Sequence, residues 1–187
     1  MDKVAQRALE DLLTRDLDAV VGPPPEVARP GDAVRAWRLP AGDIDALVRW
    51  GLPVTHPVGA ATHSPTADFQ DAADPALTLA DGARAYRLAS SWLRDYGAIA
   101  KAGGVFGVPR PGNTTGGLVN TSVTAYVETV WRWTRFCDLV DPLEESEEYE
   151  TFHWCLDRFA AWAVARDPEA KSRSATGTSW WEDLALS

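Results

Sequence analysis

Residues 117–133 read GLVNTSVTAYVETVWRW, a predicted strand followed directly by a predicted helix. It begins as a short apolar strand over 117–121 and continues as an amphipathic helix that starts at Ser122. Ser122 is a favourable N-cap, because its hydroxyl can accept a hydrogen bond from a backbone N–H that the first helical turn leaves unpaired. The positions that follow recur at helical spacing and predict one broad buried face. They are Val123, Tyr126, Val127, Val130, Trp133 and Thr134.

The residues before this stretch alternate short extended segments with turns, from 83 to 121. Gly103-Gly104 is a strong hairpin signal, and Asp95-Tyr96-Gly97 predicts a second turn. Because such short connections do not allow the crossover that parallel strands require, the pattern predicts an antiparallel meander. Further extended segments are predicted upstream, at 34–39, 68–69 and 77–79.

Apolar residues at helical spacing predict helices on both sides of the meander. The predicted helices are 4–21, 43–50, 122–139, 144–166 (with Pro142 as an interruption) and a short helix or turn at 180–186. Together the elements predict an α+β architecture with an N-terminal helix, an antiparallel meander sheet and C-terminal helices packed on the sheet. A chain of 187 residues is long enough for one well-buried core. We therefore expect a single domain over 1–187, in which 1–22 form the N-terminal helix and 172–187 a C-terminal tail.

The charge balance is acidic, with a formal net charge of −9. Such a chain repels the phosphates of nucleic acids and of anionic membranes, so we expect neither as a partner and expect a basic partner instead. No apolar run reaches the roughly 18 residues of a membrane-spanning helix, and the acidic start does not fit a signal peptide. These features predict a cytoplasmic protein.

Residue patterns typical of enzymes are missing from the sequence. It contains no HExxH, GxSxG, Walker or CxxC motif, and His56, His63 and His153 are spread out. The glycines of GGVFG, 103–107, lie between two predicted strands, where a hairpin turn is expected rather than a phosphate-binding loop. Cys137 and Cys155 fall on apolar faces and are interpreted as buried hydrophobic residues. We therefore expect no catalytic residue, no metal site and no cofactor.

Two kinds of side chain are candidates for binding a partner protein. Large aromatic residues at a surface are favoured anchors of interfaces, and Trp131 and Trp181 are predicted to be partly exposed, with coverage of Trp131 by the adjacent helix as the alternative. The second candidate is an acidic run without any Lys or Arg, from Asp138 to Glu150. Acids at the start of a helix complement its dipole, but those near the end of the preceding helix do not, so a partner-binding acidic patch is predicted. Its members are Asp138, Asp141, Glu144, Glu145 and Glu148.

The chain also resembles a known family, the SUKH superfamily of bacterial immunity proteins, and in particular its fourth, actinobacterial subfamily. The resemblance lies in four segments that come in the expected order. They are LPAGDIDALVRWGLP at 39–53, YRLAS at 86–90, LVNTSVTAYVETVWRW at 118–133 and WWEDL at 180–184. The resemblance is weakest over 54–78.

This resemblance implies a SUKH-like fold and a non-enzymatic immunity protein that binds and neutralises a cognate toxin in the producing cell. Partners of similar proteins are often nucleases or nucleic-acid deaminases, whose basic clefts an acidic protein can occupy. Two alternatives stay open: an intracellular scaffold or regulatory interaction protein, and a small-molecule-binding protein or enzyme with its pocket beneath the GGVFG hairpin. The toxin, the interface and the oligomeric state also stay open, because one fold carries many different binding surfaces.

Overall fold

Helices open and close the chain around a central run of strands in the computed structural model, which describes residues 2–54, 64–111, 116–145, 148–173 and 179–181. The helices are α1 (Lys3–Thr14), α2 (Leu17–Val20), α3 (Ala41–Trp50), α4 (Val123–Glu145), α5 (Tyr149–Arg166) and α6 (Pro168–Ser172). The strands are β1 (Val27–Ala28), β2 (Leu52–Pro53), β3 (Thr66–Ala67), β4 (Leu77–Thr78), β5 (Arg84–Ser90), β6 (Arg94–Ile99), β7 (Val105–Pro109) and β8 (Gly117–Asn120). Two short 3₁₀ turns cover Pro24–Glu26 and Asp32–Ala36.

The main sheet is the predicted antiparallel meander. Its strand order is β3-β5-β6-β7-β8, and β4 also pairs with β5. The Gly103-Gly104 hairpin is confirmed between β6 and β7, and Gly103 has a φ of 76°, in the left-handed region that favours glycine. The turn predicted at 95–97 is wrong, because these residues lie inside β6. The chain turns earlier, where the Ser91 N–H donates to the Arg94 carbonyl at 2.8 Å.

Helix α4 carries the core, as the apolar spacing predicts. All six residues of its predicted face are buried. Trp133 lies at the centre of an aromatic cluster, with ring centroids 5.4 Å from Phe136, 5.3 Å from Phe159 and 6.3 Å from Trp181. Helix α4 thus joins α5 and the C-terminal segment in one core, which confirms the α+β architecture with helices before and after the sheet.

Two buried carboxylates fix the junction between β8 and α4. Asp167, at the end of α5, accepts hydrogen bonds from the Asn120 Nδ2 (3.1 Å) and from the backbone N–H and hydroxyl of Thr121 (2.8 and 2.9 Å). Asp43 of α3 accepts from the backbone N–H and hydroxyl of Thr124, both at 2.9 Å. The predicted N-cap is also present, since the Ala125 N–H donates to Ser122 Oγ at 3.1 Å. The first turn of α4 is therefore satisfied by Asp43 and Ser122, while Asp167 holds the two residues before the N-cap.

The predicted N-terminal helix 4–21 is wrong in one respect, because it is split into α1 and α2. Arg15 adopts an extended conformation (φ −65°, ψ 148°) at the break. The guanidinium of Arg132, on α4, donates to the carbonyls of Leu12 and Arg15. These carbonyls lose their helical partners where α1 ends, and Arg132 replaces those partners. A contact from a residue more than a hundred positions away thus ends the helix.

The strand predicted at 34–39 is also absent. A 3₁₀ turn occupies Asp32–Ala36, and the side chain of Trp37 instead stacks on Tyr86 of β5 with ring centroids 4.8 Å apart. The Tyr86 hydroxyl accepts from the backbone N–H of Arg38 at 3.0 Å. Side-chain packing on β5 therefore replaces the expected ladder pairing.

Pro142 does not interrupt the C-terminal helices as predicted, because α4 continues through it to Glu145. Proline has no backbone N–H, so Pro142 leaves the carbonyl of Asp138 without its helical donor. Asp138 is exposed, so water can hydrate this carbonyl, while the buried side chains of Val140 and Leu143 hold the last turns against the core. The predicted second helix accordingly begins at Tyr149 rather than at Glu144. Helix α6 spans Pro168–Ser172 and ends where the predicted C-terminal tail begins, and 182–186 of the last predicted helix lie outside the described residues.

Two tyrosines of the core are buried together with their hydroxyl groups. Burial raises the pKa of Tyr96 to about 12, and burial with the neighbouring Tyr96 holds the pKa of Tyr126 well above its usual range. Among the described residues the Tyr126 hydroxyl has no hydrogen-bond partner. A buried unpaired hydroxyl costs about 1–3 kcal/mol. The packing of the Tyr126 ring therefore stabilises the core, and its hydroxyl does not.

Replacing Tyr126 by phenylalanine is expected to leave the free energy of unfolding at pH 7 unchanged or to raise it by about 1 kcal/mol. Above about pH 10 the unfolded tyrosine ionises while the folded one does not, so the unfolded state binds fewer protons and stability falls as pH rises. The Y126F variant lacks this group, so its stability declines less steeply between about pH 9 and pH 11. Urea titrations of both proteins across this range measure the effect, and identical slopes would contradict it.

Both cysteines are buried free thiols, as the apolar spacing predicts. Burial, and after it the nearby carboxylates of Asp141 and Asp138, raises the pKa of the Cys137 thiol, and burial raises the pKa of Cys155 to about 11. A thiol that stays protonated is a poor nucleophile. These two residues are packing elements of the helical core.

Candidate functional site

The acidic run forms a corner where α4 ends and α5 begins. The backbone N–H of Glu148 donates to the Leu143 carbonyl at 3.0 Å, which closes the connection between the two helices. The exposed carboxylates on both sides of this connection are called the acidic corner here. They belong to Asp138, Glu144, Glu148 and Glu150.

Two of the four carboxylates of the corner are not neutralised by the described part of the chain. Asp138 forms an ion pair with Arg135 at 3.3 Å, and this arginine also binds Glu26. Within the described part of the chain, the carboxylates of Glu144 and Glu148 have no ion-pair partner. Asp141 is half-buried, and Glu145 ends α4 with a side chain outside the described residues. Two exposed negative charges are therefore available to a partner.

The extension of α4 through Pro142 changes the interpretation of these acids. Glu144 lies in the last turn of α4, where the helix dipole places partial negative charge and a carboxylate is unfavourable. Only Glu148 and Glu150, at the start of α5, are favoured by a helix dipole. Helix stability therefore does not account for Glu144, and the corner retains a charge that the fold does not use.

Tyr149 adds an aromatic ring to the acidic corner. The sequence pattern predicts it to lie on the apolar face of α5, but it is 54% exposed. It stands between Glu148 and Glu150 at the first position of the helix. A tyrosine offers a partner both apolar area and a hydroxyl. Helical spacing does not reveal the exposure of Tyr149, because the first residue of a helix has no preceding turn to pack against.

The two tryptophans predicted as partly exposed are buried. Trp131 is fully buried, and its Nε1 donates to the carbonyl of Gly51 at 3.0 Å, where α3 ends. Trp181 is buried as well, and its Nε1 donates to Asn120 Oδ1 at 3.0 Å. Helix α3 covers the flank of α4 that a helical wheel leaves open, and the C-terminal segment packs on the β8–α4 junction. Both residues fix the fold, and neither presents a surface for a partner.

The most exposed tryptophan is one that the sequence did not indicate. Trp92 is 74% exposed at the turn between β5 and β6. A row of ring contacts places this turn near the start of α4. Arg94, two residues after Trp92, stacks on Trp180, and Trp180 contacts Tyr96. Tyr96 in turn contacts Tyr126 in the first turn of α4. Helix α4 has 23 residues and is thus about 35 Å long, with the acidic corner at its other end. Trp92 and the acidic corner are therefore separate surfaces.

The space beside the GGVFG hairpin is filled by the chain. A Cβ at Gly103 would overlap the carboxylate of Asp43, which is itself bound to Thr124. The described residues contain no group of three or more His, Cys, Asp or Glu side chains arranged to hold a metal ion. No helix within the described ranges is long and apolar enough to cross a lipid bilayer.

Three of the four segments that resemble SUKH proteins contact one another directly, and the second contacts the residue that precedes the first. Asp43 and Gly51 of the first segment bind Thr124 and Trp131 of the third, and Trp181 of the last binds Asn120, also of the third. Tyr86 of the second segment receives the N–H of Arg38, next to the first. These shared residues build the junction around α4, so they mark the scaffold and lie away from the acidic corner.

Comparison with known families agrees with this arrangement. Residues 12–187 match the model of the SUKH-4 immunity protein family. No curated protein and no solved structure gives a significant match. The match begins in the last turn of α1 and includes α2 and all the later helices and strands. The chain therefore belongs to the SUKH-4 immunity protein family.

Proposed function

We propose that this protein neutralises a cognate toxin, a basic nuclease or nucleic-acid deaminase, by binding it in the cytoplasm of the producing cell. Membership of an immunity protein family supports a toxin as the partner. The observation that carries the choice of surface is the pair of exposed carboxylates, Glu144 and Glu148, which have no ion-pair partner in the described part of the chain. We place the contact at the acidic corner.

Electrostatic attraction supports this placement. A toxin that acts on nucleic acid needs a cationic surface for the phosphates of its substrate. A protein with a net charge of −9 and an uncompensated acidic corner attracts such a surface at long range, which speeds association. Tyr149 then supplies an aromatic contact at the centre of the carboxylates.

Inhibition in this proposal requires no chemistry by the immunity protein. The acidic corner occupies the region where the substrate phosphates bind, and the bulk of the domain excludes the substrate. We treat residues 1–187 as one domain that moves as a unit in this complex, since the N-terminal helices and the C-terminal Trp181 share the core with α4. A rigid surface loses little conformational entropy on binding.

The first experiment is an affinity pull-down of the tagged full-length protein from its native host, at low and at high salt, with quantitative mass spectrometry. The expected result is one basic polypeptide near one-to-one stoichiometry at low salt, with less recovered at high salt because salt screens exposed charges. Co-expression with this polypeptide then tests protection from its toxicity. Recovery of a stable set of housekeeping proteins would favour an intracellular scaffold instead.

A further inference from the structure

A cleft of about 540 Å³ lies among the helices, away from the acidic corner. It is bounded by the turn between α1 and α2, the end of α3 and the facing sides of α4 and α5. Its volume falls in the range of small-molecule sites in proteins, about 300–1,000 Å³. The residues that matter for its chemistry are Arg49, Trp50, Glu128, Arg132, Trp162 and Arg166.

The lining of the cleft has a small excess of positive charge in an otherwise acidic protein, although one of its arginines, Arg15, is paired with Asp11 outside the lining. Four arginines and three carboxylates line it, against a net charge of −9 for the whole chain. Arg132 is almost fully buried and donates to Glu128 and to two backbone carbonyls, so its charge is a fixed part of the cleft wall. Glu128 is shared, because it also accepts from Arg166. One carboxylate therefore serves two guanidinium groups.

Arg166 and Arg49 offer hydrogen-bond donors that the fold does not use. Arg166 donates to Glu128 through Nε at 2.7 Å, and no acceptor among the described residues contacts its terminal nitrogens. Arg49 binds Asp18 through Nε and one terminal nitrogen, which leaves the second terminal nitrogen. The two side chains are 57% and 62% exposed. Guanidinium groups of this kind bind phosphate oxygens in pairs.

Aromatic rings complete the lining. The indoles of Trp50 and Trp162 are half-buried, and each lies under an arginine, with Arg49 4.9 Å from the Trp50 ring and Arg132 5.3 Å from the Trp162 ring. Indole and guanidinium planes are both surfaces on which a nucleobase stacks. A ligand that satisfies this lining carries a planar ring and a phosphate group.

We propose that this cleft binds a nucleotide, with its phosphates on Arg49 and Arg166 and its base against the indoles of Trp50 and Trp162. The site does not depend on toxin binding, because the cleft and the acidic corner share no residue. With this nucleotide site, the immunity protein would bind a small molecule in addition to its toxin.

The test is thermal unfolding of the full-length protein with ADP, pyrophosphate or adenosine added separately, up to about 10 mM. ADP is expected to raise the melting temperature in a saturable way, and more strongly at equal concentration than either of its parts. The Arg166→Ala variant should weaken ADP binding at least about tenfold, as expected for the loss of a charge-assisted contact. Arg49→Ala should weaken it in the same direction.

The matched control is Arg158→Ala, on the same helix. Arg158 is also exposed and paired with a single carboxylate, Glu10, but it does not line the cleft. ADP binding by R158A should equal that of the unaltered protein. The proposal is overturned by no saturable effect of ADP, by pyrophosphate binding as tightly as ADP, or by an equal loss in R158A and R166A.

Discussion

Replacing Trp131 by alanine is expected to lower the free energy of unfolding by about 3–5 kcal/mol, the cost of a large cavity in a packed core. Trp131 is fully buried between α4 and α3, and its Nε1 holds the carbonyl of Gly51 at 3.0 Å. The substitution empties this space and leaves a buried carbonyl without its donor. Because domains of this size are stable by only about 5–15 kcal/mol, the loss is a large fraction of the total. Urea unfolding at pH 7 measures it.

Trp92→Ala is the matched control, since it removes the same side chain from an exposed turn. Its effect on the free energy of unfolding should stay within about 0.5 kcal/mol. Equal costs for the two substitutions would show that Trp131 does not hold α3 on α4. In the toxin assay, Trp131→Ala should reduce protection only because less of the protein is folded. Trp92→Ala should leave the folded fraction unchanged.

Neutralising the acidic corner with Glu144→Gln and Glu148→Gln together is expected to slow toxin association by about three- to tenfold at low salt. Both carboxylates are exposed and lack an ion-pair partner in the described part of the chain, so their charge acts on an approaching cation without compensation. Stability should change little, since neither side chain is packed. Stopped-flow or surface-based kinetics with the recovered toxin, at two ionic strengths, measure the rate.

The control variant carries Asp71→Asn and Asp74→Asn, two exposed acids in the loop before β4. Each pair changes the formal net charge from −9 to −7, because two carboxylates are removed. At high salt the corner variant and the unaltered protein should associate at nearly the same rate, because salt screens the charges that distinguish them, while the loop variant should resemble the unaltered protein at both ionic strengths. Equal slowing by both pairs would mean that the overall charge, and not the acidic corner, steers the toxin.

Local chemistry explains what the sequence predicted well. The strands of the meander, the Gly103-Gly104 hairpin and the Ser122 N-cap depend on neighbours along the chain, so spacing and turn residues reveal them. The buried face of α4 follows from helical periodicity in the same way. The acidic corner was visible as a run of charges. The sequence misplaced its boundary with α5 because Pro142 normally ends a helix and here does not.

Contacts between distant segments explain what the sequence predicted wrongly. Arg132 binds the carbonyl of Arg15 at the end of α1, and nothing in the local sequence predicts this contact. Trp37 stacks on Tyr86 in a segment where a strand was expected. Trp131 was assigned to a surface because a helical wheel shows only one helix, while α3 covers the flank that it leaves open. Trp181 is buried for a similar reason, since Asn120 binds it from another segment.

The meander and the central helix could be predicted from the sequence because each rests on patterns within a short window, and the α+β class and the family because such patterns follow one another in a definite order along the chain. The exposure of each tryptophan, the position of Glu144 in the last turn of α4 and the meeting of four arginines in one cleft became visible only in the folded structure. Burial and charge compensation depend on which segments approach one another. Packing across the whole core determines which segments meet, and the spacing of residues within one segment does not contain this information.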